Sequence, residues 1–146
     1  MTRTLFISLI LCLLAPIASY AQGSISNIVE SIEDSNQVSN VMYREKRDPR
    51  TRKVVRSTRL IVFSDAKLAK RLISAIKKER PNAVNYQANN ERNSAVYCID
   101  FNDNKGNFSR YSLIQEGGKR WTLSVETSYT DPKRNRNQQR RQQSIT

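Results

Sequence analysis

"LIVFSDAKLAKRLISAIKKE", residues 60–79, changes its apolar period once, and that change decides how the chain is built. Leu60, Ile61, Val62 and Phe63 follow one another without a polar break and read as the end of a buried strand. From Leu68 onward the spacing becomes helical. Leu68, Ala69, Leu72, Ile73 and Ile76 form one stripe, while Lys67, Lys70, Arg71, Ser74, Lys77 and Lys78 occupy the rest of the circumference. Ser64 and Asp65 stand between the two patterns, and either side chain can accept from the free N–H groups of a first helical turn. Pro81 stops the helix, because it cannot donate the next backbone hydrogen bond. The stretch is therefore a strand feeding a helix that is buried on one side.

Upstream, "SISNIVESIED" at residues 24–34 places Ile25, Ile28, Val29 and Ile32 at helical spacing, with Asn27 and Glu30 as a capping box or Ser24 as the start. Val41 and Tyr43 then alternate with Met42 and Arg44 and lead into Arg47-Asp48-Pro49-Arg50, where Pro presets a turn dihedral. Val54 to Phe63 reads as the second strand of this pair. Downstream, residues 82–94 are polar and Asn-rich, with an edge strand at Val84 to Ala88. The period then becomes two: Ala95, Tyr97, Ile99 and Phe101 point one way, Val96, Cys98, Asp100 and Asn102 the other. A turn at "NDNKGN", the strand "FSRYSLIQE" and the pair Gly117-Gly118 lead to the last strand, where Trp121, Leu123, Val125, Thr127 and Tyr129 share a face. Helix, two strands, helix and a meander predict an α+β domain: an antiparallel sheet of about five strands with two helices packed on one face.

The N-terminus has the layout of a signal peptide. Arg3 precedes the apolar run Leu5 to Leu14, and small residues at Ser19 and Ala21 suit a signal-peptidase site, so cleavage is expected after Ala21. The apolar run is about ten residues, half of what a membrane-spanning helix needs. The expected organisation is residues 1–21 as signal peptide, 22–131 as one domain and 132–146 as a disordered basic tail. Cys98 is then the one thiol left. It cannot form an internal disulfide and is expected to be a buried small hydrophobe.

This pattern resembles the small exported proteins of unknown function common in Bacteroidetes. The resemblance rests on the signal ending in "SYAQ", the opening amphipathic helix, and "LIVFSDAKLAKRLISAIKKE" followed by a strand meander. It implies a Gram-negative envelope, with the protein periplasmic or secreted. The split order of helix and strands is also similar to that of PepSY-like and β-lactamase-inhibitor-like periplasmic domains. That similarity implies a regulatory or inhibitory domain that binds protein through its sheet surface.

Composition argues against most chemistry. The chain has no histidine, which removes the usual general base and the commonest metal ligand. One cysteine cannot build a thiolate zinc site, and no serine sits in a Gly-x-Ser-x-Gly elbow. "DFNDNKGN" offers Asp100, Asn102 and Asn104 at calcium-loop spacing, yet Lys105 stands where the loop needs Gly and Tyr111 where it needs Glu. The stretch reads as a hairpin turn. Nothing marks Asp100 and Glu126 as a catalytic pair, so a non-catalytic protein without cofactor or metal is expected.

The charge is local. Residues 43–59, "YREKRDPRTRKVVRSTR", hold eight Lys or Arg against two acids, a net of +6. The tail adds Lys133, Arg134, Arg136, Arg140 and Arg141 with no acid, or +5, and the remaining residues from Gln22 onward balance at 11 against 11. Pairing Lys46 with Lys53 around a six-residue loop would gather Tyr43, Val41, Val54, Leu60 and Val62 on one face. Arg44, Lys46, Lys53 and Arg59 would lie on the other, with Arg47, Arg50 and Arg52 in the loop, and Arg56 would fall on the core side. Such a surface either protects an edge strand or engages an anion. For an exported protein the expected partner is lipopolysaccharide, an acidic lipid or glycan, or an acidic protein. Nucleic acid is disfavoured because Tyr43 is the only stacking platform nearby.

Overall fold

In the computed structural model of the chain, residues 17–130 are described, with side chains from residue 23 onward. Residues 1–16 of the expected signal peptide and the tail bearing Lys133, Arg134, Arg136, Arg140 and Arg141 lie outside the described residues. Helix α1 spans Ile17–Glu33 and β1 spans Val38–Arg47. They are followed by β2 (Val54–Phe63), α2 (Ala66–Glu79) and a short 3-10 turn at Arg80–Asn82. The meander is β3 (Asn85–Glu91), β4 (Ser94–Asn102), β5 (Phe108–Glu116) and β6 (Trp121–Ser128).

The strands form one antiparallel sheet in the order β1-β2-β6-β5-β4-β3. It has six strands, not about five. The sixth is the Asn-rich edge strand expected at Val84 to Ala88, which runs on to Glu91 and pairs with β4 from Asn85 opposite Asp100 to Glu91 opposite Ser94. Weak strand formers suffice there because an edge strand is held by a single ladder. Helix α2 carries the chain from β2 across four strand positions to β3. Its 14 residues make about 21 Å of helix, close to the roughly 19 Å that four strand spacings require.

The Asp65 cap forms as expected, with Oδ1 accepting from the N–H groups of Lys67 at 3.1 Å and Leu68 at 3.0 Å. Helix α1 departs from expectation. It is already helical at Ile17, so Asn27 caps nothing, and its carbonyl accepts the Ser31 hydroxyl at 2.9 Å.

Ile25, Ile28, Val29 and Ile32 of α1 and Ala69, Leu72, Ala75 and Ile76 of α2 bury against one face of the sheet. That face presents Ile61, Phe63, Tyr97, Ile99, Leu113, Trp121 and Leu123, all of one strand parity. Both helices therefore lie on the same side. Cys98 corrects the sequence reading: it has the opposite parity, is half-buried on the helix-free face, and accepts the Ser112 hydroxyl at 3.4 Å.

Candidate functional site

The first hairpin turns through Asp48–Lys53. Asp48 Oδ1 accepts the backbone N–H groups of Arg50 and Thr51, both at 2.8 Å, and the Asp48 N–H donates to the Lys53 carbonyl at 2.8 Å. The Thr51 and Arg50 N–H groups hold the Asp48 carboxyl below its ordinary value, so this acid stays ionised but is spent inside the turn. Arg52 takes the left-handed conformation, with φ of 59°, that brings the chain back into β2.

Above the turn the register differs from the expected one. Lys46 stands opposite Arg56, not Lys53, and a bulge at Val55 restores the strand end, where Arg47 faces Val54. An offset of odd length swaps faces. Val41 and Tyr43 therefore share the helix side with Arg59 and Ile61, while Leu60 and Val62 fall on the helix-free side with Met42, Arg44 and Lys46. Arg56, expected on the core side, stands on the helix-free side as well.

This rearrangement sorts the predicted cations by what they touch. Arg59 leaves the cationic group and pairs with Glu33 at the end of α1, Nη1 to Oε2 at 3.1 Å. Arg47 is taken up inside the hairpin, donating to Glu45 Oε2 at 2.6 Å and to the Arg52 carbonyl at 3.2 Å. Glu45 also accepts the Tyr43 hydroxyl at 2.8 Å. The Tyr43 hydroxyl and the Arg47 guanidinium lower the Glu45 pKa, and the same hydrogen bond raises that of Tyr43. Both acids of the hairpin are thus committed. Among the described residues, Arg44, Lys46, Arg50, Arg52 and Lys53 make no ion pair.

A cleft of about 580 Å³ opens where the hairpin base runs past the end of β6, lined by Lys46, Lys53, Arg56, Thr51, Ser128 and Tyr129 among others. It is closed from behind by the Tyr129 N–H donating to the Val55 carbonyl at 2.9 Å. Of its three cations, Arg56 is partly neutralised by Glu126, Nε to Oε1 at 3.3 Å, while Lys46 and Lys53 point no charge at an acid. The cleft therefore combines two ammonium groups without an ion pair, a guanidinium, several hydroxyls and one carboxylate, Asp48, whose Oδ1 is held by the turn. This donor set suits an anion with several oxygens. Sequence reasoning found Lys46 and Lys53. It missed Arg56, Ser128, Tyr129 and the neighbouring Thr130, because they join the cleft only through the β2–β6 ladder. Arg44 lies one rung away on the same face, and Arg50 and Arg52 lie in the turn itself.

The helix-free face carries a second ordered feature. Asn85, Asp100, Arg110, Glu126, Thr58 and Arg44 form one continuous rung across all six strands. Arg110 grips Asp100 with two bonds of 2.8 Å, and Asn85 Nδ2 adds a third at 3.3 Å. Asp100 is only 3% exposed, and the Arg110 guanidinium, its strongest partner, holds its carboxyl below the ordinary range. Its carboxylate is occupied by Arg110. The "NDNKGN" turn is organised instead by Asp103, which accepts from the Lys105 and Asn107 N–H groups at 2.8 Å each. Two rungs further along, Val62, Thr122, Ile114 and Val96 make a line that is apolar but for Thr122 and is closed by Asn40 and Asn89.

Comparison with known proteins places these features in a family context. The profile of a family described as a domain of unknown function (DUF5024) matches residues 22–125. Among curated proteins none matches. Among solved structures, the crystal structure of a DUF4853 family protein from Actinomyces odontolyticus is similar at 15% identity and a TM-score of 0.35. That alignment covers 81% of this chain and 71% of the other.

Proposed function

We propose, from the premise that this chain belongs to the DUF5024 family of domains of unknown function, that it is a non-catalytic exported protein which binds an anionic envelope component. The ligand is a lipopolysaccharide phosphate, an acidic lipid headgroup or an acidic glycan, and it is engaged at the hairpin cleft. The observation that carries this reading is the pair Lys46 and Lys53: they line one cleft beside Arg56 and outnumber its one lining acid, Asp48, whose Oδ1 already accepts two N–H groups of the turn. One finding supports it: the family match begins at residue 22, the residue after the expected cleavage point. No helix among the described residues is long and apolar enough to cross a membrane.

The test is binding to vesicles carrying anionic lipid or lipopolysaccharide across a salt series. Affinity falls as salt rises. Replacing Lys46 and Lys53 with Gln weakens binding roughly thirtyfold, from about fivefold per cation near an anionic surface. Binding that is indifferent to both salt and these substitutions would sink the proposal.

A second reading, a periplasmic inhibitor or regulatory domain that binds protein through its sheet, is favoured by the uncovered line Val62, Ile114 and Val96. It calls for a partner retained at moderate salt and lost when Ile114 or Thr122 is changed to Lys. Retention after those changes would exclude it.

A further inference from the structure

Strand β1 closes one side of the sheet, and nine of its ten residues are exposed. Val41, Met42 and Tyr43 stand there at 48%, 49% and 57% exposure, three consecutive large side chains on an open strand edge. Charged residues usually guard such edges. Here Arg44, Glu45, Lys46 and Arg47 all follow the apolar triplet, and Val38 to Met42 carries no charge. The strand has an uncharged half and a charged half, with the apolar residues at the junction. A strand built this way complements its own copy when the two run antiparallel.

We propose that β1 pairs with β1 of a second copy of this chain, about a two-fold axis through Met42, joining the two sheets edge to edge. In that register Met42 faces its own copy, and Val41 of each chain faces Tyr43 of the other. Arg44 faces Asn40 of the second copy, and the regular ladder stops there because β1 bulges at Ser39, so no charge meets a like charge. The face assignments also match. Met42 neighbours Leu60 on the helix-free side, so the seam carries Leu60, Met42, Met42 and Leu60 in one line; Val41 neighbours Ile61 on the helix side.

Competing axes fit less well. An axis at Tyr43 sets Met42 against Arg44, one at Arg44 sets the guanidinium against itself, and one at Val41 sets Tyr43 against Ser39. Lys46 lies on β1 and also lines the cleft, so the two readings are separated by residues that belong to one alone. Met42 lies outside the cleft and Lys53 outside β1, and vesicle binding by Met42→Arg and sedimentation of Lys53→Gln fail separately.

Sedimentation equilibrium of the purified protein should give twice the chain mass. Met42→Arg, which sets two guanidinium groups face to face, should return it to one, and Met42→Leu should keep the dimer. In a Cys98→Ser background, M42C should oxidise to a covalent dimer, because opposed residues of antiparallel strands bring their Cβ atoms within disulfide reach. N89C on the opposite edge strand should not. A single-chain mass at every concentration overturns the proposal. So does a dimer that withstands Met42→Arg while M42C stays reduced, or one that cross-links through N89C.

Discussion

Removing the Arg110 side chain should destabilise the protein more than any other change on the helix-free face. The Asp100 side chain is 4% exposed and its partner Arg110 is 45% exposed. Arg110→Ala leaves the carboxylate buried, with Asn85 at 3.3 Å as its nearest remaining nitrogen donor among its recorded contacts. Breaking a buried pair from one side costs about 3–5 kcal/mol. Because Arg110 itself is half in water, its removal lets solvent reach the carboxylate, and the expected loss is nearer about 2–3 kcal/mol. That corresponds to a fall in the folding constant of roughly 30- to 160-fold.

The sign with pH follows from the shift. Asp100 titrates below its ordinary value of 3.8 when folded, so its pairing stabilises fully above that value and is lost as pH falls through the lower folded pKa. In Arg110→Ala the buried carboxyl takes up a proton more readily. The deficit against the unmodified protein therefore narrows as pH drops below the ordinary carboxylate range. Urea unfolding at neutral pH and in acid measures both quantities. Asp100→Asn in the Arg110→Ala background should recover part of the loss, because a neutral amide tolerates burial better. A loss under about 0.5 kcal/mol, the range of ordinary surface changes, or a deficit that does not change with pH, would refute the reasoning.

Asp65→Ala removes the acceptor for the Lys67 and Leu68 N–H groups and should cost about 1 kcal/mol in urea unfolding. Asp65→Asn should recover most of it. Gly118→Ala should cost about 1 kcal/mol by the same measurement. A methyl there meets no atom within 4 Å, so the penalty comes from the backbone φ of +78° alone; an unchanged midpoint would count against it. Cys98, half-buried on the uncovered face, should react with a thiol reagent in the native protein at a rate insensitive to denaturant below the unfolding transition. A rate that tracks global unfolding would restore the buried assignment.

Periodicity made the elements legible because it records burial, and burial on one side leaves a period of two in strands and 3.6 in helices. Leu72 and Ile76 on α2, and Tyr97, Ile99 and Leu123 in the sheet, are buried where their spacing puts them. Cys98 shows the limit of that signal. Its parity was plain from its neighbours Tyr97 and Ile99, but a small apolar side chain invites burial whichever face it lies on. The Asn-rich edge strand was under-read for a related reason: its ladder with β4 supplies the pairing that its side chains do not advertise.

Register was harder to read than any element, and the candidate site depends on register. The bulge at Val55 and the turn built on Asp48 decide that Lys46 faces Arg56, and no periodic pattern in "REKRDPRTRKVVR" encodes either. Once that pairing is set, the fate of each cation follows. Arg59 is drawn to Glu33 because both lie on the helix side, and Arg56 reaches Glu126 because β2 and β6 place Thr58 opposite Glu126 one rung away. Arg44, Lys46, Arg50, Arg52 and Lys53 are left without an ion pair among the described residues, and of these Lys46 and Lys53 line the cleft. Sequence reading sorted the eight basic residues from Arg44 to Arg59 by a register that paired Lys46 with Lys53, which put Arg59 with the free cations and Arg56 on the core side. Cross-strand pairing separates them into those that hold the fold and those free to meet a ligand, which directs substitution first to Lys46 and Lys53.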